Sequence, residues 1–178
     1  MSARRTKTRR LTVAATLAAL GVVLLALGSL VEVLDLSMAA IASLAVAFAV
    51  IELGGKYPLL VYLVTALLAL ILLPIKTPAL FYACFAGYYP ILKALFEGRF
   101  LRPVSWLFKF LTFLVAMVLT LVLGMNLLFP AGLAWQWWYV ALAVPLVLVL
   151  WIYDLALTRL ITFYLLRLRG RFGFLREK

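Results

Sequence analysis

RRTKTRRLTVAATLAALGVVLLALGSLV, residues 4–31, is the stretch whose reading decides the fold. Arg4, Arg5, Lys7, Arg9 and Arg10 lead into an apolar run from Leu11 to Val31 that no charge interrupts. About 20 such residues, as a helix, cross the hydrocarbon core of a bilayer. The run is too long for the apolar region of a cleaved secretory leader, so it reads as a retained span with its cationic end in the cytoplasm. The remainder of the chain has the same character. The protein is 68% hydrophobic and 13% charged, with a mean hydropathy of +1.19. Without a polar shell, such a chain needs lipid as its solvent.

Working outward, the apolar runs predict an all-α polytopic membrane protein: one six-helix transmembrane domain over residues 1–178. The predicted spans are 11–31, 36–53, 59–73, 79–96, 104–128 and 135–156, the last continuing as helix to about 168. Gly54-Gly55 signals a turn, Pro58 suits the start of the third helix, and Pro90 is expected to kink the fourth. With six spans, every one of the 17 Lys and Arg residues except Lys76 falls on one side. That asymmetry predicts cytoplasmic N- and C-termini, whereas an odd number of spans would put the two basic termini on opposite sides.

The formal charge of +11 is distributed in short segments beside apolar runs. This is the pattern of membrane topology rather than a basic face for nucleic acid. The chain has no histidine and one cysteine, Cys84. Those counts argue against imidazole metal centres, His-dependent catalysis and an intramolecular disulfide. No Gly-rich phosphate loop is present, so the chain is expected to carry no ATPase of its own. It is also expected to need no cofactor and no metal, and not to be an enzyme. No nucleophile–base pair is visible, and Asp154 has no second carboxylate at helical spacing.

Three features could carry function. The first helix presents Ala14, Ala18, Gly21 and Gly28 close to one face, interrupted by Leu25. Small residues admit another helix at short range, either a partner subunit or a helix of the same chain. Around the outer ends of helices five and six lie Asn126, Trp135, Gln136, Trp137, Trp138 and Tyr139. Indole faces and amides can hold a planar ligand, although Trp and Tyr also form interfacial belts. Asp154 lies in the cytoplasmic half of helix six, where an ionisable group needs a partner. Lys93 and Lys109 are the expected partners, in a structural ion pair rather than a gate.

The run Leu11-Thr12-Val13-Ala14-Ala15-Thr16-Leu17-Ala18-Ala19-Leu20, entered from basic residues, resembles the first helix of the substrate-binding S components of energy-coupling factor vitamin transporters. Phe85-Ala86-Gly87-Tyr88-Tyr89-Pro90-Ile91-Leu92-Lys93 and Tyr153-Asp154-Leu155-Ala156-Leu157-Thr158-Arg159 are similar to segments of uncharacterised bacterial membrane proteins of that kind. The resemblance implies a six-helix subunit of the plasma membrane that captures a vitamin or precursor from outside. It implies docking through Ala14/Ala18, Ala15/Ala19 and the nearby Gly21 onto a transmembrane coupling subunit served by separate ATPase subunits. It places Lys76, Tyr82, Asn126, Trp135, Gln136 and Trp138 in a pocket, where Lys76 would favour an anionic group. The alternative is a non-transporting scaffold, which in size and span count resembles the small rod-shape-determining membrane subunit of cell-wall assemblies.

Overall fold

The computed structural model describes residues 2–31, 34–99, 102–128 and 138–168. Every regular element among them is helical: α1 (Ser2–Leu30), α2 (Asp35–Glu52), α3 (Tyr57–Leu72), α4 (Thr77–Arg99), α5 (Arg102–Leu128) and α6 (Trp138–Phe163). A single π-helical turn, Tyr164–Leu168, extends α6. Lys7–Leu30, Asp35–Glu52 and Thr77–Arg99 are long and apolar enough to cross a membrane. Tyr57–Leu72 and Val104–Thr120 are apolar but shorter.

The chain divides into two compact units, Met1–Gly124 and Met125–Lys178. In the first, α2 is the central helix and packs against α1, α3 and α4. Its sequence explains why it can. Ala39, Ala42, Ser43, Ala45, Ala47 and Ala49 are all buried, and side chains this small let neighbouring backbones approach from several directions. Gly54 and Gly55 follow its C-terminus with φ of 61° and 58°, a left-handed stop that glycine adopts without steric penalty. Pro58 then sits in the first turn of α3, where its missing N–H has no intrahelical partner to lose.

α3 has its large residues on the outside. Leu59, Leu60, Leu63, Val64, Leu67, Leu68, Ile71 and Leu72 are exposed, while Val61, Thr65, Ala66 and Ala69 face inward. A water-soluble helix bundle would invert that arrangement. A broad exposed face of Leu and Ile beside an interior of small and polar side chains is what a lipid solvent selects.

α1 packs by the same logic. Ala14, Ala18, Gly21, Leu25 and Gly28 form one buried stripe at alternating spacings of four and three. Leu25, expected to interrupt this face, belongs to it and is fully buried. That alternation is the seam of two helices packed at a shallow left-handed angle. Both glycines are close-approach positions. A Cβ at Gly21 would lie 2.9 Å from Thr65 Cγ2, and one at Gly28 would lie 2.9 Å from Met38 Cβ.

α4 departs from regular geometry as the sequence foretold, but one turn earlier than Pro90 itself. After Thr77–Phe81 the helix widens into a π-turn, Tyr82–Ala86, and then resumes as Tyr89–Arg99. The Gly87 amide bonds the Tyr82 carbonyl at 2.8 Å, five residues back rather than four. Pro90 supplies no N–H for the Ala86 carbonyl, and its ring crowds that carbonyl, so the strain is absorbed in the preceding turn.

Candidate functional site: a tyrosine cluster on a widened helix turn

The π-turn lies at the centre of a polar, aromatic cluster inside the first unit. Opening the helix frees the Ala83 carbonyl, and the Tyr62 hydroxyl from α3 donates to it at 2.8 Å. The Tyr62 ring meets Tyr82 at 6.2 Å between centroids and Tyr88, edge-on, at 6.1 Å. Gly87 makes this possible, since a Cβ there would come within 2.8 Å of Tyr82 Cε1 and closer still to the Tyr62 ring. Below them Phe85, Tyr89 and Phe113 of α5 form a ring stack, with Tyr89 and Phe113 nearly parallel at 5.1 Å.

Tyr82 is fully buried, and its hydroxyl has no hydrogen-bond partner among the described residues. Its polar neighbour is Thr65, whose own hydroxyl donates to the Ala18 carbonyl of α1 at 3.3 Å. Cys84, on the same turn, neighbours the Thr120 side chain of α5. An unsatisfied buried hydroxyl costs about 1–3 kcal/mol. π-turns are rare and concentrate at functional sites. Both features occur at one residue, together with a glycine-enforced close approach.

A second cluster joins α4 to α5. Glu97 Oε1 accepts from Lys109 Nζ at 2.6 Å and pairs with Lys93 Nζ at 3.3 Å. Both lysines are buried and Glu97 is half exposed. Lys109 also lies 5.5 Å from the centre of the Trp106 ring. Glu97 is a partner that the sequence reading of these lysines missed, although its position four residues after Lys93 on a helix was the available signal. In the second unit Asp154 is buried, and Thr158 donates to its backbone carbonyl at 2.8 Å.

The structure redistributes the expected site residues. Tyr82 is in the interior cluster. Lys76 caps α3 instead, its ammonium donating to the carbonyls of Leu70 at 2.7 Å and Leu73 at 2.6 Å. These are carbonyls of the last helical turn, where a cation is favoured. Trp135 and Gln136 lie outside the described residues, as do the side chains of Asn126 and Trp138. Ala14, Ala18 and Gly21 are covered within the first unit, whereas Ala15 and Ala19 are exposed. Tyr62 and Thr65 were not read as site residues. Each is an isolated polar residue in an apolar run, and only the packing of α3 on α1 and α4 gives it a role.

Comparison with protein-family models, curated proteins and solved structures finds no match to this chain.

Proposed function

We propose that this protein is a membrane-embedded substrate-capture subunit for uptake of a small molecule, a vitamin or precursor. In this reading the chain forms a six-span bundle in a bacterial plasma membrane with both termini cytoplasmic. It docks through α1 onto a transmembrane coupling subunit with separate ATPases. The observation that carries the reading is the buried tyrosine cluster. A protein whose only task was to offer lipid-facing helices to partners would have no use for an unsatisfied hydroxyl in its interior.

The docking surface is narrower than the full run of small residues. Ala14, Ala18 and Gly21 are committed to packing within the chain, which leaves the Ala15/Ala19 edge of α1 for a partner. The test is affinity purification of the full-length protein from its native cells in mild detergent. A membrane protein accompanied by two ATPases is the expected result, and Ala15→Trp with Ala19→Trp should remove it while leaving the protein folded. Recovery of cell-wall or division proteins alone would replace the capture reading with a scaffold.

A further inference from the structure

Resting on the capture reading, we infer that the Tyr82 hydroxyl is the donor that holds the captured molecule, and that this molecule is uncharged and carries a hydrogen-bond acceptor. A phenol hydroxyl sealed from solvent without an acceptor is a standing penalty, and folds retain such groups where something else completes the bond. Tyr82 sits where α1, α3 and α4 converge. Thr65 is beside its hydroxyl and Tyr62 beside its ring. Thr65 directs its proton to Ala18, and Tyr62 directs its own to Ala83. The two neighbouring hydroxyl protons are thus already directed to backbone carbonyls, while that of Tyr82 is not.

The charge of the ligand follows from where the cations are. Burying an anion in an apolar bundle requires a counter-charge. Lys76, the cation nearest in sequence, turns its ammonium onto the end of α3. Lys93 and Lys109 hold Glu97. The side chains gathered about the hydroxyl are Tyr62, Thr65 and the π-turn itself, none of them charged at neutral pH. A carbonyl, amide or ring nitrogen meets the need of a lone phenol donor between aromatic rings, and a carboxylate or phosphate does not. The anionic ligand expected from Lys76 is replaced by a neutral one.

The experiment compares full-length wild type with Tyr82→Phe, a change that keeps the ring and its contacts and removes only the hydroxyl. Both are purified in mild detergent from the native cells, and their bound metabolites are extracted and identified by mass spectrometry. Melting temperature is then measured on the stripped proteins. The expected result is a neutral, acceptor-bearing compound on wild type, at least tenfold depleted on Tyr82→Phe, and a stripped Tyr82→Phe protein that melts higher than stripped wild type. A charged compound, or one that Tyr82→Phe retains equally, would overturn the inference while leaving capture intact. A stripped Tyr82→Phe protein that melts no higher would also overturn it, since the hydroxyl would then be satisfied without ligand, by a buried water for example. If neither protein carries any compound, the capture reading itself fails.

Discussion

At the scale of single residues, the interior is decided by contacts too close to tolerate another atom. Gly21 is the clearest case, because the group opposite is the β-branched Thr65, which has little rotamer freedom with which to yield. Gly21→Ala should destabilise the protein by about 1–3 kcal/mol through overpacking. Adding Thr65→Ser removes the methyl group 2.9 Å from the new Cβ, and should recover part of the loss. Thermal unfolding of the two variants in one detergent checks both. If the single substitution melts like wild type, α1 and α3 are not held at this distance. Tyr82 follows the opposite logic, because there the fold accepts an unsatisfied polar atom where Gly21 admits no extra one.

At the scale of elements, α4 carries most of the local departures from regularity, and one residue type explains why. Pro90 sits too deep in the helix to serve as a cap, so the turn before it widens, and the freed Ala83 carbonyl becomes an acceptor for α3. The same helix then grips α5 near its own C-terminus, where two buried ammonium groups converge on Glu97. Removing one partner from such a group leaves buried charge without compensation. Because Glu97 is half exposed, solvent screening reduces the effect. Glu97→Gln is expected to cost about 1–2 kcal/mol. The check is a lower melting temperature that high salt does not restore, and an unchanged melting temperature would show that the lysines are held without it. The kink was legible in the sequence because proline acts on its own backbone. The contacts it enables were not, because Tyr62 and Ala83 are far apart in the chain and meet only when α3 lies on α4.

At the scale of the whole molecule, the apolar exterior and the placement of charge make a statement about topology that single contacts cannot. With both termini cytoplasmic, Cys substitutions at Ser2 and Gly98 in a Cys84→Ser background should react with an impermeant maleimide only after the membrane is opened. A cysteine at Thr77 should react in intact cells. Reaction at Ser2 and Thr77 from the same side would end the six-span, termini-in arrangement. The expectation is firm because each Lys or Arg moved across the bilayer is penalised during insertion, and Lys76 is the one exception among 17.

The helical class and the approximate limits of the helices were determined by the sequence alone. A long apolar run in lipid must satisfy its own backbone, and only a helix does that within one segment. Composition by itself also selected lipid as the solvent, and Gly54-Gly55, Pro58 and Pro90 marked where helices stop, start and bend. The tertiary structure alone decided which face of each helix looks inward. The alanines of α1 illustrate the difference: Ala14 and Ala18 are interior while Ala15 and Ala19 are exposed, although the two pairs read alike in the sequence. Packing likewise turned Lys76 from a ligand candidate into a helix cap, drew Glu97 to Lys93 and Lys109, and isolated the Tyr82 hydroxyl. The physical reason is range. Hydropathy and backbone preference act within a few residues, whereas hydrogen bonds and ion pairs between side chains depend on which helices lie side by side.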